Sequence, residues 1–559
     1  MRVTMVVAAC VLSAAASYLN AQSCPPPPAG IIAWWTGDGS TEDVANGNDG
    51  TNDGATYVPG VVNEAYHFNG STSTVVIGNP SVLQLQSFSI VAWVTRADVT
   101  VAGNATLPSP HTGELFCYGS GGYCLGLEGN GTLFLSKVGT SLVESTGAKI
   151  TDTTAHQVAV TVDEASSNVI FYVDSVASST LSYAPGFTFT TEAAIGVVGD
   201  LQPAGAAGNF FGDIDEVQVF DHALNASQIL SIFNAGNLGT CRIHPQPMAV
   251  DANAVAGSRS NVNGVLESGE TVQVSPEWMN EFPSTQTLGG TASNLTGPAG
   301  PTYLIVDDMA SYGAIVSGGQ KNCNGATGDC YLMTISGTRP AQHWDATFKE
   351  VLAETNPPRP TTNNWPLHVG ESFPDVPTSH QFYAFVENLF HNGVTGGCGG
   401  GNFCPGQPVT RAQMAVFLLK GEHGGTYTSP ACSSTMFSDV PCPGAPFVDW
   451  INQLAAENVT GGCGNGNYCP GDSVTRGQMA VFLLKGEHGG GYVPPTCAAT
   501  MFTDVACPDA QFVDWINQLA TENITGGCGN GNYCPEDSVT RGQMGVFLVK
   551  TFGLILYGP

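Results

Sequence analysis

Positive charge is scarce in this chain. Of 559 residues only 16 are Lys or Arg, against 46 Asp or Glu, and the formal net charge at pH 7 is −30. That balance argues against a nucleic-acid partner or an anionic membrane surface, both of which need a basic footprint. Charged residues of either sign make up 11% of the chain, which points to a loop-rich extracellular β protein rather than a cytosolic enzyme. Long apolar runs are also missing. The longest, Met5 to Ala16, is too short to span a bilayer, so no transmembrane segment is expected. Neither a Gly-x-Ser-x-Gly nucleophile elbow nor a His-Glu-x-x-His zinc motif occurs, and no catalytic residue is assigned.

What is present begins with an export signature. Residues 1–22 combine Arg2, the apolar stretch and a small-residue flank at Ala21, the pattern of a secretory signal peptide. Removing Cys10 with it leaves 16 of the 17 cysteines, an even set that in an exported chain reads as disulfides. Seven pairs are local: Cys117–Cys124, Cys323–Cys330, Cys398–Cys404, Cys432–Cys442, Cys463–Cys469, Cys497–Cys507 and Cys528–Cys534. Cys24 and Cys241 remain to join the ends of the first domain. Zinc is the rival reading, with four cysteines near each of two repeats.

The scarce cations are themselves patterned. Arg411, Arg476 and Arg541 are 65 residues apart, as are Lys420, Lys485 and Lys550. Three copies of one two-helix unit therefore fill residues 371–424, 435–489 and 500–553. In the second copy Phe447, Trp450, Ile451 and Leu454 have the i, i+3, i+4, i+7 spacing of one buried helix face. A Gly/Asn-rich loop with two cysteines follows. Thr475 with Gln478 then opens a second helix as a capping box, repeated by Thr410–Gln413 and Thr540–Gln543. Lys485 suits the last turn, whereas Arg476 in the first turn opposes the helix dipole. An ion pair with Asp439 would explain that placement. So would an anion gripped jointly by the guanidinium and the helix N–H groups.

The opening Phe-x-Asp-Val, the mid-unit Val/Ile-Thr-x-Gly and the Thr-Arg-Ala/Gly-Gln helix start occur in all three copies. Together they resemble S-layer homology domains. The resemblance implies a pseudo-threefold set of helical modules that anchors a protein non-covalently to an acidic cell-wall polysaccharide. It assigns sugar contacts to Arg411, Arg476 and Arg541 in grooves between modules. The opening acids Asp375, Asp439 and Asp504 and the loop glycines Gly396, Gly461 and Gly526 fall at the family's other binding positions. Gln413, Gln478 and Gln543 replace the commoner Glu, and Gly477 and Gly542 replace Ala, so the polymer can differ from the best-known one.

Residues 24–241 alternate short strands and turns, among them Ser87–Val94, Thr132–Ser136 and a hairpin from His156–Asp163 to Val169–Asp174. That predicts a two-sheet sandwich or jelly roll. The ordered set Ile32-Ala33-Trp34-Trp35, Ala65 to Gly70, Phe88 to Val94 and Gly212 to Phe220 resembles the laminin-G-like, concanavalin A-like jelly roll. Such domains imply a possible structural calcium, here at Asp43, Asn48 and Asp215 with hard oxygen ligands; Asx-turn chemistry explains the same residues without a metal. A ligand of the jelly roll, glycan or protein, is expected but not identified. Trp34 and Trp35 could form a sugar-stacking surface, although strand alternation argues that at least one is core. Residues 245–355 predict an immunoglobulin-like β-sandwich spacer, and residues 356–370, rich in Pro and Asn, a linker. The whole reads as a secreted, cell-surface protein: a jelly roll and spacer held to the wall by three modules. An envelope structural protein and a surface glycoside hydrolase with an unrecognised site are the alternatives.

Overall fold

The computed structural model describes residues 24–103, 112–199, 208–354 and 360–558; the expected signal peptide lies outside them. The first domain is a sandwich of two antiparallel sheets, nine- and seven-stranded among the described residues. The predicted hairpin is present, with Val158 to Asp163 paired against Val173 to Asn168. Strand Phe211–Phe220 pairs with both Ile31–Trp35 and Phe88–Arg96, so the two ends of the domain meet in one sheet. Trp35, Tyr66, Phe68, Phe88, Phe116 and Tyr123 fill the space between the sheets. Helix α1 (Ala226–Ala235), capped by an Asn225–Gln228 box, lays Ile229 and Ile232 on the outer face of the larger sheet, against Val91, Ala159 and Tyr172.

The middle domain is a second sandwich of five- and four-stranded sheets. Its core holds Trp278, Trp344, Trp365 and Tyr331, with the short helix α2 (Cys323–Ala326) at one edge. Fully buried Glu350 accepts from Tyr312 Oη (2.5 Å), Tyr331 Oη (2.6 Å) and Trp365 Nε1 (2.7 Å). Three donors on one carboxyl offset its desolvation and fix the registry of the core. The expected linker at 356–370 is corrected: residues 360–368 form the edge strand of the four-stranded sheet, paired along Asp345–Glu354. Trp365 and Leu367 are fully buried on one face, and the continuous pairing outweighs the Pro and Asn content. That strand also docks on the jelly roll through Thr362 Oγ1 to the Asp43 carbonyl (3.1 Å) and Asn364 Nδ2 to Asp49 (2.8 Å).

The C-terminal third is a closed ring. Each module contributes a first helix, α3 (Tyr383–His391), α5 (Val448–Ala456) or α7 (Val513–Thr521), and a second, α4 (Arg411–His423), α6 (Arg476–His488) or α8 (Arg541–Thr551). The second helices pack on one another around the centre. Each first helix packs on the second helix of the preceding module, α5 on α4, α7 on α6 and α3 on α8. All three capping boxes form. The buried face of α5 is Val448, Ile451, Asn452 and Leu454; Phe447, expected to lead that face, precedes the helix at φ 61° and is 46% exposed. The tail returns to the middle sandwich, where Tyr557 Oη accepts from Leu266 N (2.9 Å) and donates to the His368 carbonyl (3.0 Å).

Eight disulfides form, in the pairings Cys24–Cys241, Cys117–Cys124, Cys323–Cys330, Cys398–Cys404, Cys432–Cys442, Cys463–Cys469, Cys497–Cys507 and Cys528–Cys534. No helix among the described residues is long and apolar enough to cross a membrane.

Candidate functional site: the clefts between modules

Arg411, Arg476 and Arg541 each occupy the first position of a second helix, and each reaches into the next module of the ring. Their Nε atoms donate to the carbonyls of Tyr468 (2.7 Å), Tyr533 (2.7 Å) and Phe403 (2.8 Å). Each guanidinium lies between two rings. Arg411 sits 4.8 Å from Tyr468 and 5.4 Å from Phe482, and Phe403 and Phe417 flank Arg541 at 4.8 and 5.3 Å. The three side chains are only 3–4% exposed. The guanidinium groups expected at the sugar are therefore largely buried in the seams between modules. They are seam struts, held by carbonyls and aromatic faces, and among the described residues they form no ion pair with a carboxylate. Burial pulls the Arg411 and Arg541 pKa values down, against the attraction of nearby acids such as Asp375 beside Arg541. One nitrogen of each, Nη2, is buried without a hydrogen-bond partner.

The opening acids work from the other side of the same loops. Asp439 accepts from Tyr468 N and Cys469 N, both at 2.7 Å; Asp504 does so from Tyr533 N and Cys534 N, and Asp375 from Phe403 N and Cys404 N. In all three seams one residue thus gives its amide to the Asp of its own module and its carbonyl to the Arg of the preceding one. Both oxygens of each Asp are occupied, so these acids shape the loop. Some desolvation opposes charge at the exposed Asp439 and Asp504, but the backbone N–H groups prevail and hold both carboxyls below their ordinary range.

A cleft of about 470 Å³ opens beside Arg411 where three modules meet. Arg411 comes from the first module, Gly461, Ser473, Gln478 and Lys485 from the second, and Phe512 from the third. Gly461 faces open space, as do Gly396 and Gly526 at the corresponding positions, so the loop glycines leave room at the cleft. Sequence reasoning found Arg411 and Gly461 but missed Gln478 as a lining residue, and missed Lys485 and Phe512. The 65-residue offset carries the signal for the other seams: Arg476, Gly526, Gln543, Lys550 and Phe382 in one, and Arg541, Gly396, Gln413, Lys420 and Phe447 in the other.

In the jelly roll, Trp34 and Trp35 are 3% and 0% exposed. Their Nε1 atoms donate to Glu216 Oε2 (2.7 Å) and the Asn48 carbonyl (3.1 Å); they are core, not a sugar platform. Asp43 accepts from Trp34 N, Ala45 N, Asn48 N and Asn48 Nδ2. Asp215 Oδ2 instead receives Val61 N and Val62 N. Asp43 and Asn48 thus form an Asx-turn network, and Asp215 serves a different loop.

Residues 69–230 match the concanavalin A-like lectin/glucanases superfamily, and residues 372–415, 444–480 and 502–544 match the S-layer homology domain. The chain is an S-layer homology domain protein with an N-terminal concanavalin A-like domain, and such domains mark a cell-surface, cell-wall-associated protein. It is 27% identical over 186 residues to the S-layer protein of Bacillus thuringiensis subsp. finitimus and, to the same extent, to the S-layer protein sap of Bacillus anthracis. Each match covers 33% of this chain and 21% of the relative, so the chain spans about a fifth of the curated relatives it matches. Among solved structures, domain 4 of an extracellular arabinanase from Geobacillus stearothermophilus, in complex with arabinotriose, is 20% identical (37% of this chain, 98% of that one; TM-score 0.29). The carbohydrate-binding module of a Ruminococcus gnavus sialidase is 13% identical (30% of this chain, 95% of that one; TM-score 0.24). Likenesses at that level carry no argument about a ligand.

Proposed function

We propose that this chain is a non-enzymatic surface protein held to the cell wall by its ring of modules, which binds an acidic wall glycan in the intermodule clefts. The observation that carries the reading is the cleft beside Arg411. It is large enough for a sugar unit, lined by Gln478 and Lys485, and beside it lies a buried guanidinium with one unpaired nitrogen. Lys485 and the Gln478 amide offer donors to a carboxylate-bearing sugar there, and three repeated seams give avidity on a repetitive polymer. The ring grips the polymer while the two sandwiches stand as the displayed part, with the jelly roll offering a glycan- or protein-binding surface. The S-layer relatives favour a second reading, in which those sandwiches serve as building material of the envelope.

The test is co-sedimentation of the full chain with purified cell walls. Because the Arg residues hold the seams, the informative variants are Gln478→Ala and Lys485→Ala with their repeat equivalents. Loss of pelleting with an unchanged melting temperature supports the cleft. Unchanged pelleting overturns it.

A further inference from the structure

Away from the clefts, two seams carry a second constellation. At the first, Glu422 and His423 end α4 and face Glu457 at the C-terminal cap of α5; His423 Nε2 lies 3.0 Å from Glu457 Oε1. At the second, Glu487 and His488 end α6 and face Glu522 at the cap of α7, with His488 Nε2 3.1 Å from Glu522 Oε1. In each trio one atom per residue falls within 4.8 Å of the other two. Tyr427 and Tyr492 cover the imidazoles with ring centroids at 4.6 and 4.5 Å. Gln453 and Gln518 each donate to the outer Glu, at 2.7 and 2.5 Å.

Three features go beyond an ordinary surface ion pair. First, Glu422 Oε2, Glu457 Oε2 and Glu522 Oε2 are buried with no hydrogen-bond partner, a condition that calls for a counter-group. Second, the carboxylates crowd together at the C-terminal ends of two helices, where the dipoles disfavour negative charge.

Third, the ring serves as its own comparison. The remaining seam would need its acid at position 392 and its Glu-His pair at 552–553; it has Asn392, Phe552 and Gly553 instead. Phe552 there packs against Gly421 and Gly486, and Asn392 Nδ2 donates to the Ile555 carbonyl (3.0 Å). Asn392 belongs to the first module and Phe552 to the third, so members missing from different modules are missing from the same seam. The trio is kept or replaced as a set, seam by seam.

We propose that Glu422–His423–Glu457 and Glu487–His488–Glu522 are twin divalent-metal sites of the zinc class that staple the first module to the second and the second to the third. One imidazole nitrogen and two carboxylate oxygens are a donor set for such an ion, with a fourth position left to solvent. The glutamines fix the outer carboxylates from the second layer. The role is structural and does not rest on glycan binding.

The experiment uses the full chain, stripped with a chelator and dialysed against zinc chloride, with calcium chloride as a parallel arm. Bound metal is counted and thermal unfolding followed. The wild type is expected to hold two more zinc ions than a Glu457→Gln/Glu522→Gln variant and to gain melting temperature with zinc, which the variant does not. The exposed-imidazole pair His423→Asn and His488→Asn, which leaves the packing intact, should remove one ion each. Other histidines contribute equally to all samples, so the difference is what counts. Equal zinc in wild type and variants, or retention of calcium in place of zinc, overturns the proposal. The former outcome leaves the trios as hydrogen-bonded ion pairs only.

Discussion

Arg541 Nε donates to the carbonyl of Phe403, 138 residues earlier, at 2.8 Å. The equivalent bonds of Arg411 and Arg476 run forward across 57 residues to Tyr468 and Tyr533. Arg541 therefore closes the ring, joining the last module to the first. At the other two seams the tyrosine answers with its hydroxyl, Tyr468 Oη to the Arg411 carbonyl (2.7 Å) and Tyr533 Oη to the Arg476 carbonyl (2.8 Å). Phe403 has no hydroxyl, and the closing seam is one hydrogen bond short.

Phe403→Tyr should supply that bond. The position is fully buried and its repeat equivalents already hold a tyrosine. The expected gain is about 0.5–1.5 kcal/mol, seen as a raised melting temperature of the modules in calorimetry of the full chain. A neutral or negative change would mean that the pseudo-symmetry does not extend to the closing seam.

The glycines at 477 and 542 make a related case. A Cβ at Gly477 would lie 2.7 Å from Phe512, and one at Gly542 2.2 Å from Phe382. At the third seam that place holds Ala412, and the matching Phe447 is the ring that stands 46% exposed. The side chain at this one position accounts for whether the phenylalanine folds down. Gly477→Ala should lift Phe512 from the cleft and destabilise by about 1 kcal/mol, despite alanine's better helix propensity. Ala412→Gly should let Phe447 settle and be neutral or stabilising. Thermal unfolding of the two variants reads both signs.

These seams also show what was legible in the sequence. The 65-residue spacing and the Thr–Gln boxes located every second helix, because capping and periodicity are local. The Arg residues were found but misdirected: a cation at a helix N-terminus looks like an anion site until a carbonyl from another module arrives beside it. The face of α5 is displaced because Phe447 makes a left-handed turn before the helix, as Phe512 does before α7. Residues 360–368 read as linker from Pro and Asn, and only pairing with Asp345–Glu354 makes them a strand. The jelly roll was recognisable from its ends, where Trp34 and Asp215 sit, but whether those groups face sugar, calcium or each other is a tertiary question.

Buried acids set the pH response of the jelly roll. Burial pushes Glu114 from its ordinary value of 4.5 to about 8, Glu42 to about 7 and Asp215 to about 7. A carboxyl whose folded pKa is raised contributes stability that is complete below the unfolded value and lost as pH rises through the folded one. Stability should therefore fall between about pH 4.5 and 8. Asp439 and Asp504, shifted down, act oppositely in the modules and lose their contribution only as pH falls below the ordinary carboxylate range. Glu114 is buried with Oε2 unpartnered, so Glu114→Gln should raise the melting temperature at pH 8, leave it nearly unchanged at pH 4.5, and flatten the slope between. A variant with the wild-type slope would place the titration elsewhere.

The Cys24–Cys241 disulfide closes a loop with a sequence separation of 217, the whole of the first domain. It also packs in the core of the middle sandwich, where Cys241 is fully buried and its amide donates to the Pro25 carbonyl at 2.9 Å. One crosslink thus restrains the jelly roll's unfolded chain and fixes its lead-in against the next domain, beside the Arg242–Asp38 ion pair at 2.7 Å. Loop-closure entropy for so long a loop is worth roughly 3–5 kcal/mol. Replacing both cysteines with serine should cost the jelly roll about that much and bring its unfolding transition below that of the modules, whose short disulfides close loops of separation 6 or 10. Calorimetry of the full chain separates the transitions. If the modules lost stability equally, the sandwiches and the ring would unfold as one cooperative unit, coupled by Tyr557 and the His391–Asp345 pair (2.9 Å) among the contacts on the middle domain.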